Sequence, residues 1–305
     1  MKAMVLTAPE TPFQLMDMPD PIAGPGEIVV DIHAASVNGV DWKVRSGRSG
    51  PVSGFPYILG RDFSGIVSGL GEGVGDFAIG DAVFAVCGVG QEGAYAQKIA
   101  IDASIVAKKP QSLSHVEAAS LALAGLTALV SVEDTLQLQA GETILIQGGA
   151  GGVAAFAIEL AKHIGATVAT TASETNAEYV QELGADVVID YRSADFTQAL
   201  SNYDLVFDTM GGEVHLHSYA VLAPGGRMTY LNADPIPDHR PRDDVTVSNA
   251  SVSYDTASLE RIAELVDSGA IRPQVSAVVP LSEAVSAYDL SQTGHLRGKV
   301  VLRVR

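Results

Sequence analysis

The sequence predicts an α/β protein with a doubly wound parallel sheet in the middle of the chain and a mostly β region before it. Three observations predict this. Strands and helices alternate across 115–267, the pattern of a parallel sheet covered on both faces. Residues 1–114 instead carry short apolar runs between Gly and Pro turns. Charge divides the chain in the same way. Of 19 basic and 36 acidic residues, six and 22 fall in 115–267, which leaves two flanks that are nearly neutral and alike. A chain of 305 residues is long enough for two domains, each with its own core.

In the first region strands are expected over 2–6, 27–34, 63–70, 81–86 and 93–99. Gly60-Arg61-Asp62-Phe63-Ser64-Gly65 reads as a turn feeding a strand, and 69–75 as a glycine-rich connection. Ser114 and Glu117 form a capping box for a helix through 118–130. The middle then runs strand 143–147, helix 152–164, strand 167–172, helix 176–183 and strand 186–189. Strand 204–208, helix 213–222 and strand 226–231 follow. Leu259, Ile262, Ala263 and Val266 share one face of an amphipathic helix over 256–269. A short helix at 283–290 and a strand at 299–304 close the chain. The middle domain is assigned to 115–267, and the flanks are 1–114 and 268–305.

Composition excludes several classes. A net charge of −17 makes nucleic acid and anionic membranes poor partners. No apolar stretch of membrane-spanning length is expected, and the N-terminus lacks the apolar core of a signal peptide. Cys87 is the one cysteine, so neither an intrachain disulfide nor a cysteine-built zinc site can form. A reducing cytoplasm is the expected location.

The strongest motif is Ile144-Leu145-Ile146-Gln147-Gly148-Gly149-Ala150-Gly151-Gly152-Val153-Ala154. A buried-type strand runs into small residues and then into an apolar helix. Glycines let the backbone approach a pyrophosphate, and the helix start offers free N–H groups. Gly149, Ala150, Gly151, Gly152 and Val153 are therefore candidate dinucleotide contacts. NAD sites place a carboxylate at the end of the second strand to hold the ribose diol. Here that stretch reads Thr171-Ala172-Ser173, and Ser173 can donate to a 2′-phosphate. NADP is therefore expected. Against it stand Glu174, which follows directly, and the absence of any Lys or Arg between Lys162 and Arg192. Arg192 is the nearest candidate cation.

Beyond this motif, the chain resembles the zinc-free quinone oxidoreductase (zeta-crystallin-like) group of the medium-chain dehydrogenases/reductases. The carriers are Ser36-Val37-Asn38-Gly39-Val40-Asp41-Trp42-Lys43, Gly60-Arg61-Asp62-Phe63-Ser64-Gly65, Ala124-Gly125-Leu126-Thr127-Ala128 and the glycine loop. Leu183-Gly184-Ala185-Asp186, Asp208-Thr209-Met210-Gly211-Gly212, Pro224-Gly225-Gly226 and Arg297-Gly298-Lys299-Val300-Val301-Leu302 complete them. The resemblance implies a GroES-like catalytic domain built from both ends of the chain. It also implies a Rossmann domain inserted between those ends, an active cleft between the two domains, and a homodimer joined through the Rossmann sheets. Zinc-dependent relatives carry a Cys near Asn38, a His where Arg61 stands, a further ligand after the Gly-rich loop, and a four-Cys lobe. This sequence has none of these, so no catalytic zinc is expected.

Without a metal, a bound nicotinamide can still deliver hydride to a quinone or an α,β-unsaturated carbonyl. By resemblance Asn38 and Asp41 lie near the nicotinamide, Asn38 as a donor. Both also read as loop-capping residues. Tyr57 is a candidate cleft wall and proton donor, or an ordinary half-buried aromatic. The resemblance points Thr127 at the nicotinamide amide, while a lone helical Thr is often back-bonded. It also puts an adenine-facing Tyr at Tyr191. Lys299 matches the family closely, and its plainer reading is a surface lysine at a strand start. Met210, Gly211, Leu231, Asn232 and Ala233 follow strand ends, where ligands of parallel sheets bind. Lys43, Arg45, Arg48 and Arg61 form a basic cluster that would suit an enoyl-CoA or enoyl-ACP thioester, or else a solvated loop. A non-catalytic NADPH-binding protein is the reading of another class.

Overall fold

The computed structural model describes the chain apart from Glu10, 48–51, Ser53, Val89, Glu92, Asn232, Ala233, Ser253 and His295. It opens with strands β1 (Lys2–Leu6), β2 (Gln14–Asp17) and β3 (Glu27–Ser36), then a short helix α1 (Gly39–Arg45). Strands β4 (Tyr57–Ile58), β5 (Asp62–Leu70), β6 (Ala82–Val86), β7 (Lys98–Asp102) and β8 (Val106–Lys108) lead to helix α2 (His115–Leu129). Six strands follow: β9 (Thr143–Ile146), β10 (Thr167–Ala172), β11 (Val187–Asp190), β12 (Tyr203–Asp208), β13 (Leu222–Tyr230) and β14 (Thr246–Asn249). Between them run α3 (Gly152–Ile164), α4 (Ala177–Glu182), α5 (Phe196–Ala199) and α6 (Gly212–Ser218). The chain ends with α7 (Thr256–Asp267), β15 (Val275–Pro280), α8 (Ala284–Gln292) and β16 (Lys299–Arg303).

Two compact units result. The first is Met1–Leu123, Tyr254–Gly269 and Pro273–Arg305, and the second is Ala124–Ser253 and Ala270–Arg272. In the first unit a seven-stranded sheet runs β15-β16-β3-β5-β6-β8, with β7 also pairing β3. A smaller sheet runs β2-β1-β4. The last strand lies antiparallel to β3, with Val301 opposite Ser36 and Leu302 opposite Ala35. One apolar cluster joins Ile28, Val30, Phe63 and Tyr95 to Leu281, Tyr288 and Leu302. Both ends of the chain therefore make one core.

The sequence boundaries at 114/115 and 267/268 shift. Helix α7 falls with the first unit because the Thr256 hydroxyl donates to the carbonyls of Ser104 (2.8 Å) and Val106 (2.9 Å). Ser112 also donates to Asp267. Residues 270–272 fall with the second unit. There Arg272 donates from its backbone and from Nε to the buried Glu159 of α3, both at 2.9 Å.

In the second unit all six strands are parallel, in the order β11-β10-β9-β12-β13-β14. Numbered within the unit, that order is 3-2-1-4-5-6, the doubly wound dinucleotide-binding order. Helix α3 and strand β10 occupy the expected residues, and the Ser114–Glu117 capping box is present. The strand expected over 93–99 lies instead at Lys98–Asp102, where it meets β3. The helix expected over 213–222 stops at Ser218. Helix α1 and strands β2, β4, β8, β14 and β15 were not anticipated. Most are short, and their pairing is set by long-range partners.

One expectation needs correction. The helical run His115–Thr135 is long and apolar enough to cross a membrane by length and composition. It is mostly buried inside the protein, as a core helix is.

Gly65 shows why β5 begins as it does. A Cβ there would lie 2.2 Å from the Asp31 carbonyl oxygen and 2.8 Å from Val30 Cγ1, both in β3. Gly65→Ala should therefore cost about 1–3 kcal/mol, the range for overpacking. Gly75→Ala, with nothing within 4 Å of its Cβ, should stay within about 0.5 kcal/mol. Urea denaturation followed by circular dichroism separates the two.

Candidate active site

In the second unit the strand order reverses between β9 and β12, and two loops leave the carboxyl ends of these strands. The first is the glycine loop. Gly148 has φ +65°, and a Cβ there would lie 2.9 Å from Met210 Sδ and 3.1 Å from Thr209 Oγ1. A Cβ on Gly149 would lie 2.2 Å from Thr170 Oγ1. Side chains are thus excluded where the loop turns. Gly151 caps α3 in an extended conformation, with no side-chain capping bond. Gly151 is exposed, and Ala150, Gly152 and Val153 are half-buried. An open helix N-terminus behind a cradle that a Cβ would fill fits the pyrophosphate of a dinucleotide.

The second loop follows β12. Asp208 Oδ1 accepts the backbone N–H groups of Met210 (2.8 Å) and Gly211 (3.0 Å). Met210 is exposed and Gly211 is buried, with φ +78°. Leu231, at the end of β13, donates its N–H to the Asp208 carbonyl at 2.9 Å. Asn232 and Ala233 lie outside the described residues. Thr127, in α2, is buried, and its carbonyl accepts the Ser131 hydroxyl at 2.7 Å.

At the other side of the sheet β10 and β11 end in register, with Ala172 opposite Asp190. Ser173 is buried and its hydroxyl lies 3.0 Å from Thr175 Oγ1. Either hydroxyl can be the donor in that bond. The exposed groups beside it are Tyr191, whose N–H donates to the Ala172 carbonyl, and Arg192, whose guanidinium lies over the Tyr191 ring at 5.7 Å. Glu174 is exposed next to Ser173.

In the first unit the residues around Asn38 form a buried polar network. Asp62, with no exposure, accepts the Ser36 hydroxyl (2.8 and 2.9 Å), Asn38 Nδ2 (2.8 Å) and the Leu123 N–H (3.0 Å). Asn38 Nδ2 also donates to the Ser36 carbonyl at 3.1 Å. Both amide hydrogens of Asn38 are thus committed inside the protein, which corrects its expected role as a donor to substrate. Lys299 Nζ donates to Asn38 Oδ1 and to the Val37 carbonyl (2.6 Å). Lys299 is buried rather than on the surface, because β16 pairs with β3 and carries it under Asn38. Burial lowers its pKa, and the nearby Asp62 and Asp41 oppose that shift.

Asp41 completes the cluster from the third position of α1. Its Oδ2 accepts the Asn38 N–H (2.8 Å) and the Tyr95 hydroxyl (2.6 Å). Its Oδ1 is buried without a hydrogen-bond partner. Burial pushes its pKa up from 3.8 to about 6. Bonds from Tyr95 and Asn38 pull it back, and the Asp62 charge raises it. Burial and the Asp41 charge push Tyr95 well above 10, so it stays a donor. Tyr57 is buried in the apolar cluster, its strand paired to β1. Tyr95 and Asp62 were missed from sequence. Asp62 stood in the quoted Gly60-Arg61-Asp62 run without a role, and Tyr95 had no local signal at all.

Comparison with known proteins agrees with this fold. Residues 24–111 match the alcohol dehydrogenase GroES-like domain, and 183–302 match the zinc-binding dehydrogenase domain. Human mitochondrial NAD(P)H oxidoreductase RTN4IP1 is 33% identical over 325 residues, covering 92% of this chain and 82% of the relative. The structure of the quinone oxidoreductase from Coxiella burnetii is 34% identical with a TM-score of 0.91, covering 100% of this chain and 99% of that one. The chain is a medium-chain dehydrogenase/reductase of the quinone oxidoreductase group. The chloroplastic NADPH-dependent alkenal/one oxidoreductase of Arabidopsis thaliana is 33% identical over 287 residues, covering 90% of this chain and 72% of the relative.

Among the described residues no three His, Cys, Asp or Glu side chains converge. Cys87 is buried, which pushes its thiol up to about 12. Arg61 is buried too, its guanidinium donating to the Cys87 carbonyl and lying 5.2 Å from the Tyr254 ring. The rest of the basic cluster disperses. Arg45 lies over Phe13 and Tyr288 and donates to the Thr11 carbonyl, and Lys43 lies over Trp42. Arg48 is outside the described residues.

The raised pKa of Asp41 predicts a pH dependence with a definite sign. The folded state holds this proton more tightly than the unfolded chain. Its contribution to stability is full below about pH 4 and is lost as pH rises through about 6. The stability difference between wild type and Asp41→Asn should therefore shrink across that window, by at most about 3 kcal/mol. Urea titrations of both proteins at pH 4, 5, 6 and 7 measure it.

Proposed function

We propose that this chain is an NADPH-dependent, zinc-independent reductase that transfers hydride to quinones and α,β-unsaturated carbonyls. The glycine loop and open start of α3 at the sheet's switch point carry the reading. The named quinone and alkenal reductases among its relatives support the acceptor class. Bound NADPH supplies the hydride.

The chain's own residues bind, orient and hold protons. Gly149, Ala150, Gly151, Gly152 and Val153 receive the pyrophosphate. Met210, Gly211 and Leu231 form the second wall. Tyr191 and Arg192 receive the adenosine end, and Ser173 shapes it. No carboxylate ends β10, and the exposed Arg192 follows the neighbouring strand, which favours the 2′-phosphate of NADPH over a ribose diol. Thr127 serves the nicotinamide end, and in the first unit Asn38 is held by Lys299 and Asp62 rather than free to rotate. Asp41 Oδ2 accepts two bonds and Oδ1 none, so Oδ1 is the atom that takes the proton when Asp41 titrates near pH 6. Arg45 and Arg61 lie against aromatic rings, which favours a free carbonyl over a CoA or carrier-protein thioester. A homodimer formed through the Rossmann sheet would cover its edge strand β14. The buried free thiol of Cys87 suits a reducing cytoplasm.

Oxidation of NADPH and NADH, followed by near-ultraviolet absorbance with a quinone, a 2-alkenal and an enoyl-CoA, tests this reading. Turnover is expected with NADPH and a free quinone or alkenal, and a metal chelator should leave the rate unchanged. Preference for NADH, or silence with every acceptor, would overturn it. Gly149→Ala should weaken NADPH binding by about tenfold or more, since its Cβ displaces the loop from β10.

A further inference from the structure

Helix α6 carries two side chains that reach both strand ends at the switch point. His215 and Ser218 are three residues apart and so share a face. His215 Nδ1 donates to Asp208 Oδ2 at 2.9 Å, while Asp208 Oδ1 accepts the Met210 and Gly211 amides. Ser218 Oγ accepts from Gln147 Nε2 at 3.2 Å and donates to the Val214 carbonyl at 2.8 Å. Gln147 Oε1 accepts from Thr171 Oγ1 (2.7 Å), which in turn accepts the Gly148 N–H (2.9 Å). Two chains of hydrogen bonds therefore leave α6. One ends on the loop after β12, and the other on the first glycine of the loop after β9.

Both chains are sealed from water. Gln147, Asp208, His215 and Ser218 are each at most 2% exposed. The His215 ring sits edge-on to Tyr219 and Tyr230, with centroids 5.5 and 5.0 Å away, which fixes its orientation. Packing alone would be served as well by apolar residues, because buried polar pairs gain little net stability over well-packed apolar ones. What apolar residues cannot do is hold backbone amides of two loops in register. The loops also meet directly. Thr209 Oγ1 donates to the Gln147 carbonyl at 2.7 Å, and Gly148 leaves no room for a Cβ against Met210.

We propose that α6 is a clamp, and that His215 and Ser218 are positioning residues that set the spacing of the two loops receiving the dinucleotide. The inference rests on the dinucleotide reading above and deepens it. The clamp acts on cofactor binding through Asp208 and Gln147, and neither His215 nor Ser218 touches the ligand.

The test uses His215→Phe, which keeps a ring among the tyrosines and removes the donor. His215→Asn keeps a donor toward Asp208, and Ser218→Ala is the mildest change. Fluorescence titration gives the NADPH Kd of each apo protein, thermal melting gives stability, and steady-state kinetics separate KM from kcat. His215→Phe and Ser218→Ala should each weaken NADPH about five- to fiftyfold, within the usual range of coupling between sites. The KM for NADPH should rise more than kcat falls, and His215→Asn should recover most of the loss. Folded His215→Phe and Ser218→Ala proteins with wild-type Kd would overturn the clamp. So would His215→Asn losing as much as His215→Phe. Should His215→Phe fail to fold, Ser218→Ala decides alone. Wild type that binds neither NADPH nor NADH would instead overturn the dinucleotide reading itself.

Discussion

Asp62 has no contact with water, so its charge has to be met inside the protein. That requirement gathers distant parts of the chain. Ser36 comes from β3, Asn38 from the cap of α1, the Leu123 amide from α2, and the opposing charge of Lys299 from β16. The partners span more than 260 residues, and none is a sequence neighbour of Asp62. The pairing of β16 with β3 is what brings the cation within reach. Remove that pairing and a buried carboxylate is left without its countercharge, a more costly state than leaving the whole group apolar.

The two units build their candidate sites from different chemistry. In the second unit the cradle is made of backbone: glycines without side chains, an open helix start, and amides pinned by Thr171 and Asp208. Backbone dipoles are fixed by the fold and need no reorganisation when an anion arrives. In the first unit the work is done by side chains whose charges perturb one another. Asp41, Asp62, Tyr95 and Lys299 all titrate away from their ordinary values because burial denies each one water.

The structure also redistributes what the basic residues do. Four cations close in sequence suggested an anionic tail on the substrate. Two of them, Arg45 and Arg61, instead cover aromatic rings and donate to backbone carbonyls. A charge run in sequence says little about where the charges point. An aromatic ring is a good partner for a guanidinium that has to be desolvated.

Local pattern was enough to read the doubly wound middle, with α3 and β10 in their places, the glycine loop between β9 and α3, and the Ser114–Glu117 box. Each of these depends on residues within a few positions of one another, where backbone sterics and hydrogen-bond spacing decide. Asn38, Asp41 and Lys299 could be named from motifs, but what they do could not be read there. Lys299 looked like a surface residue until β16 paired with β3 and buried it. Tyr57 looked like the useful phenol, and packing put Tyr95 beside Asp41 instead. The role of Asp62 and the α6 clamp could not be read from the chain, because a buried polar group is defined by its partners and those partners are set by tertiary contacts. By itself the sequence determined the period of each element and the chemistry of the cradle. Only the tertiary structure decided which charges lost their water, and that loss is what gives these side chains their altered properties.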